Sequence, residues 1–264
     1  RAMEERRLLE TKRGRIAVGW LIVEDIAMVL ALVMLPVLAA VLGSALINRY
    51  AHDPDASRTA ADEGFRARLR QPHVIAFFVA AFLTQVSFGP FYTYYSIYLS
   101  EHGYPTATQG VLRTVGVLAE IGVFFLSSRI FRRWDASWLL IISMGSAVLR
   151  WWATALWPEN LPVMLMAQTA HALGFAAFFA AAMQMLATYF PGRLNGHGQG
   201  LLYGFSSGVG GVLGALIAGQ LWGIDQGRTA FLAGSGFALA GALLCFFAIS
   251  LPLLRARPRP RPRR

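Results

Sequence analysis

The stretch AFLAGSGFALAGALLCFFAISLPLL, Ala230–Leu254, contains no Asp, Glu, Lys, Arg or His. A helix at the surface of a soluble protein carries polar residues along one stripe, every third or fourth position. This run has no such stripe. A bilayer core about 30 Å thick asks for about 20 apolar residues per helix, and the run meets that demand. The same pattern recurs along the chain. Only 14% of the 264 residues are charged, against about a quarter in soluble domains. The charges crowd into residues 1–15, 49–73, 129–135 and 255–264. Seven apolar spans follow, at about 16–46, 72–99, 107–130, 136–156, 161–190, 196–223 and 229–254. The fold expected is an all-α integral membrane helical bundle.

The net charge of +10 invites a nucleic-acid partner, so its origin matters. Six arginines come from the tail RARPRPRPRR, residues 255–264, and six basic groups against three Glu come from residues 1–15. Basic flanks beside apolar spans are cytoplasmic anchors drawn to anionic headgroups. The alternating Arg-Pro tail cannot form a helix and reads as an extended, disordered arm. The partner is therefore the lipid bilayer, with no nucleic acid. Cys245 is the single cysteine and lies within the last apolar run, so neither a disulfide framework nor a Cys metal site is expected. His73 and His197 lie at span edges without companions at ligand spacing. No nucleophile elbow or phosphate loop is present. No metal, no cofactor and no enzyme activity are expected.

Short connections join the last six spans: EHGYPTAT, RRWD, WPENLP, PGRLNG and IDQGR. Loops of that length make neighbouring helices antiparallel. Arg66, Arg68 and Arg70, then Arg129, Arg132 and Arg133, then Arg193 and finally the tail all fall on one side of such an arrangement, and only Arg228 falls on the other. The positive-inside rule assigns that side, with the C-terminus, to the cytoplasm of a cell inner membrane. The first span does not fit. Its basic leader and the Arg-rich segment after it both belong in the cytoplasm, yet residues 16–46 are too few for two crossings, which need about 40. Either the helix is inverted, or it lies partly in the interface, or it was joined to the rest without regard to topology. The domains expected are 1–46, a linker 47–71, a six-helix unit 72–254 and the tail 255–264.

Two resemblances accompany this division. GRIAVGWLIVEDIAMVLALVMLP, residues 14–36, resembles an internal stretch of Kef-type monovalent cation:proton antiporters, in which the positions of Glu24 and Asp25 belong to the ion-binding core. Asp25 lies nine residues past Ile16, roughly 14 Å into the membrane, a depth at which an ionisable group is a functional candidate by default. One antiporter helix lacks the partners that complete such a site. Residues 66–254 resemble the C-terminal half of a major facilitator superfamily transporter of the lactose, nucleoside and phenylpropionate permease group. SSRIFRRWD (127–135) resembles the superfamily's basic cytoplasmic turn. AVLRWWATAL (147–156) and AQTAHALGF (167–175) resemble the stretches that carry a ninth-helix Arg and a tenth-helix His in lactose permease, matching Arg150 and His171. Gln168 stands where that permease has a Lys, and Gly174 where it has its proton-carrying Glu. GVLAEIGVFFLSSRIFRR (116–133), with Glu120, is closer to the phenylpropionate permeases.

Spacing adds its own reading. Glu120 lies ten residues past Gly110, Arg150 twelve past Trp138 and His171 ten past Leu161. Each is therefore about 15–18 Å from its helix end, near the midplane. Three ionisable residues on consecutive helices at one depth can converge as a proton and substrate site. A carboxylate beside an Arg gives up its proton more readily, and an imidazole can relay one. The bland alternatives are an Arg–Glu pair locking two helices and a His bonded across a helix interface. Gln168 shares the His171 face one turn earlier. Gly89-Pro90 predicts a kink in its span. Past it, Tyr94, Tyr95 and Tyr98 read as an interfacial belt, while Tyr92 with Gln85 reads as lining a cavity. Gly204-x-x-x-Gly208 and Gly210-x-x-x-Gly214 read as close helix packing.

The function expected is proton-coupled symport of a small organic solute, such as an aromatic acid, sugar or nucleoside. Only one six-helix half is legible, so transport needs a homodimer, a separate N-terminal half or a longer parent chain. The alternative is a non-transporting product of truncation and fusion, or an antiporter fragment. The Arg1 start, the two resemblances and the topology clash favour that alternative.

Overall fold

The computed structural model describes residues 63–250 and Leu42. The first candidate span, with Glu24 and Asp25, and the Arg-Pro tail lie outside the described residues. A short helix over 63–69 leads into six helices long and apolar enough to cross a membrane. These are α1 (Pro72–Glu101), α2 (Thr106–Arg133, apolar to Leu126), α3 (Ala136–Leu156), α4 (Leu161–Tyr189), α5 (Leu194–Asp225) and α6 (Arg228–Ser250). Among the described residues there is no strand. The protein is an all-α membrane helical bundle.

α1 is the core helix. Its Pro72 sits in the first turn, where a missing N–H costs nothing. The helix breaks at Phe88, between Pro72–Ser87 and Gly89–Glu101. The cause is Pro90, which has no N–H to offer the carbonyl four residues back, Val86. α5 uses this break. A Cβ on Gly214 would overlap the Val86 carbonyl, and a Cβ on Gly89 would overlap the Gly214 backbone. Two glycines thus let α1 and α5 meet backbone to backbone. On another side of α1, a Cβ on Gly234 of α6 would stand 2.8 Å from the Ser87 carbonyl, and one on Gly241 3.0 Å from that of Ala80. In lipid, where association rests on close packing rather than on apolar burial, such contacts hold the bundle.

The glycine reading from sequence is half right. Gly210 and Gly214 pack on α1, but Gly204 meets nothing within 4 Å and Gly208 only its own helix at Tyr203. The reason is register: Gly204 and Gly208 turn to the open face of α5. The tyrosine belt also changes. Tyr95 and Tyr98 are buried, and Tyr98 Oη donates to the Thr154 carbonyl at 2.9 Å. The break at Phe88 directs this face of α1 toward α3 and α6, so phenols that would reach headgroups on a straight peripheral helix become core residues. Tyr94 stacks on Trp222 of α5 at 4.8 Å.

Two apolar clusters divide the interior. Phe77, Phe78, Leu140, Met185, Leu186 and Phe190 fill one, and Phe88, Phe91, Tyr95, Trp151, Met164 and Phe231 fill the other. α2 lies against α4 and leaves most of its surface open. Gly227, at φ 93°, closes the tight turn into α6, beside the left-handed Gln226 at φ 55°, while Asp225 accepts from the Thr229 N–H at 2.8 Å.

Gly214→Val sets two backbones in conflict that no rotamer change relieves. We expect it to destabilise the bundle by about 1–3 kcal/mol, read as a lower midpoint in thermal unfolding in detergent. Gly204→Ala, facing open space, should leave that midpoint unchanged.

Candidate functional site

α2, α3 and α4 each deliver one ionisable side chain to a single locus. His171 on α4 lies between the other two. Its Nδ1 is 2.7 Å from Arg150 Nη1 on α3, and its Nε2 is 2.8 Å from Glu120 Oε1 on α2. A guanidinium has donors only. Arg150 therefore donates to Nδ1, which must hold a lone pair, and the ring proton resides on Nε2, where it donates to the carboxylate. This geometry fixes a neutral imidazole as a bridge between a cation and an anion. An imidazolium would set N–H against N–H at Arg150.

The surroundings explain why Arg150 can sit there. It is 2% exposed, and its guanidinium carbon lies 4.1 Å from the ring centres of Phe91 and Trp151 and 5.9 Å from that of Phe88. Cation–π attraction grows when the cation is desolvated. Even so, a buried charge is costly unless paired, and Glu120 supplies the opposite charge through the imidazole. Among the described residues the Arg150 Nε and Nη2 donors have no partner. His171 is held by rings as well, stacked on Phe175 at 5.3 Å and 5.0 Å from Phe91. Immediately after it, α4 widens into a π-helical turn at Leu173–Ala177, a distortion that often accompanies functional sites. Gly174 does not carry a side chain into the site; it packs against Ala147 of α3.

Glu120 is the accessible end, with 19% of its side chain exposed. Gln168 is buried one turn before His171, and its Nε2 donates to the Tyr95 hydroxyl. Its Oε1 has no partner among the described residues and faces Gly116, where an added Cβ would stand 3.2 Å away. The structure thus brings Glu120, Arg150, His171 and Gln168 together. Tyr92 stacks on Phe88 at 5.7 Å with 53% of its surface open, at the edge of the same locus. Gln85 is elsewhere: it donates to Ser207 of α5 at 2.7 Å. The break at Phe88 separates it from Tyr92.

Sequence reasoning passed over Arg113 and the aromatic box. Arg113 was visible as a charge inside an apolar span, seven residues and so two turns before Glu120. The box was not visible, because Phe88, Phe91 and Trp151 are ordinary apolar residues until the fold places them round a cation.

A six-span bundle with a buried Arg–His–Glu bridge has the character of a multi-pass membrane protein with a polar site among its helices. The chain belongs to the MFS_1 like family of the major facilitator superfamily, whose model matches residues 9–233. That range takes in residues the sequence reading sets apart as antiporter-like. The chain is 32% identical over 164 residues to a probable 3-phenylpropionic acid transporter of Escherichia coli, covering 62% of this chain and 43% of that protein. It is 58% identical over 52 residues to an uncharacterized protein of Methylorubrum extorquens, 20% of this chain and 19% of the other. It is also 60% identical over 42 residues to a putative cation/proton antiporter of Escherichia coli, 16% of this chain and 8% of that protein. The chain thus spans less than half the length of each of these relatives.

His171→Ala removes the bridge and leaves a buried Arg150 apart from its counter-charge. A loss of about 3–5 kcal/mol is expected, measurable as unfolding at lower denaturant in detergent. Glu120→Gln keeps an acceptor for the Nε2 proton but removes the same counter-charge, so it too should lower the midpoint, by less than His171→Ala because the hydrogen-bonded bridge survives.

Proposed function

We propose that this chain forms the C-terminal half of a proton-coupled major facilitator symporter for a small organic solute. The observation that carries the reading is the Arg150–His171–Glu120 bridge. It places one partly open carboxylate at the end of a polarised path whose other end is a buried cation. A proton arriving at Glu120 removes the charge that balances Arg150. The cost of the uncompensated guanidinium then links protonation to the binding of solute or to rearrangement of the bundle. Tyr92 and Gln168 line the approach. Identity with a protein named as a probable 3-phenylpropionic acid transporter favours an aromatic acid over a sugar or nucleoside.

Alternating access rocks one six-helix half against another around a midplane site. The second half is a homodimeric copy, a separate chain or the remainder of a longer protein. Basic loops place the start of α1 and the end of α6 on the cytoplasmic face of an inner membrane. Residues 72–254 constitute the half-transporter and residues 1–46 a separate antiporter-like segment.

A second reading, a membrane protein joined from two transporter sequences that does not transport, is favoured by the 60% identity to an antiporter beside the 32% identity to a transporter. Blue-native electrophoresis separates the two readings, because an unpaired monomer has no closed translocation path.

Proteoliposomes holding the full chain should accumulate 3-phenylpropionate when a proton gradient points inward. Glu120→Gln should abolish the gradient-driven part of the uptake. Equal accumulation by both forms would remove Glu120 from the mechanism.

A further inference from the structure

Away from the helix ends, the Arg, Glu and His side chains within the described spans are Arg113, Glu120, Arg150 and His171. The bridge geometry fixes His171 as neutral and pairs Glu120 with Arg150. Arg113 is left over. Its Nη2 donates to Ser96 Oγ of α1 at 2.9 Å, and its guanidinium carbon lies 5.7 Å from the Tyr95 ring centre. Among the described residues no carboxylate pairs with it. Among the described residues Arg113 is thus a guanidinium with no counter-ion.

An unbalanced Arg inside a membrane is costly and marks a functional site by default. The bland account is snorkelling, in which a long basic side chain turns to the nearer headgroups. Arg113 does otherwise. It lies seven residues past Thr106, about 10 Å along α2, and reaches sideways across to α1 rather than outward. α1 and α2 touch only sparsely there, so the guanidinium stands exposed at the mouth between them. One turn deeper on the same face of α2, the buried Gly116 lets α2 close onto α4, and Gln168 Oε1, without a partner among the described residues, lies 3.2 Å from where an added Cβ would stand. A further turn brings Glu120. On the α1 side, Tyr95, Tyr92 and Phe88 descend as an aromatic wall from Arg113 to Arg150.

We propose that Arg113 is the anion-binding residue of this site and that the solute is a small monocarboxylate with an apolar or aromatic body. The carboxylate takes the Arg113 fork as a charge-assisted hydrogen-bonded pair, and the body lies along the open face of Tyr92. One bound monoanion gives Arg113 the counter-ion that no described residue supplies. A sugar or nucleoside would leave Arg113 without one. The assignment rests on the solute-carrying reading of the bundle but not on its proton coupling.

The test is equilibrium binding of radiolabelled 3-phenylpropionate and hexanoate to the full chain in lipid nanodiscs. Saturable binding is expected, competed by the unlabelled acids and not by the neutral 3-phenylpropanamide. Arg113→Gln should weaken binding by about tenfold or more, whereas Arg113→Lys, which keeps the charge and loses the fork, should retain part of it. Competition by the amide equal to that by the acid, wild-type affinity in Arg113→Gln, or no saturable binding of either carboxylate would each overturn the proposal. The competition arm uses the wild-type chain and so decides the matter even where a variant does not fold. Glu120→Gln separates this proposal from proton coupling. Binding that needs Arg113 but shows no pH dependence in the wild type upholds Arg113 and sinks the coupling. Binding that follows pH through Glu120 and ignores Arg113→Gln does the reverse.

Discussion

A guanidinium in a hydrocarbon interior has to be balanced, and most of the polar architecture of this bundle follows from that requirement. Arg150 is out of reach of water. It keeps its charge because two aromatic faces lie against it and because Glu120 answers it through an imidazole. The donors-only chemistry of Arg sets the His171 tautomer, and the tautomer sets which atom meets the carboxylate. Three helices are tied together by this one chain of donors and acceptors. The tie ends at the most accessible of the three groups, so any change in protonation there is felt at the buried cation.

The bundle that holds this bridge depends on backbone proximity. Pro90 interrupts α1, and Gly89 with Gly214 occupies the interruption. Gly234 and Gly241 bring α6 onto the same helix. Lipid offers no apolar driving force between helices, so close contact along α1 does the work that a hydrophobic core does in water. α2 remains at the edge, with most of its surface open.

Apolar length and charge placement made the spans legible, because the bilayer imposes one length and one sign of flanking charge on every helix. Depth made Glu120, Arg150 and His171 legible as a set, since counting residues along a helix measures distance into the membrane. Facing was less accessible. Gln85 and Tyr92 looked like neighbours on one helix, and the break at Phe88 turned them to different partners. Tyr95 and Tyr98 looked like a belt until α1 proved central rather than peripheral. Of two glycine pairs with the same spacing, only one meets a neighbouring helix.

The amino-acid order alone determined that the chain is a membrane bundle, where its six described spans run and that Glu120, Arg150 and His171 lie at similar distances along three consecutive spans. These properties are local: they depend on composition and rise per residue. Only the tertiary structure decided that His171 lies between Arg150 and Glu120, that aromatic rings enclose the cation, and that no acid among the described residues stands beside Arg113. Those facts depend on which faces of different helices meet. Rotation and approach of helices are fixed by packing between distant segments, which no single span encodes.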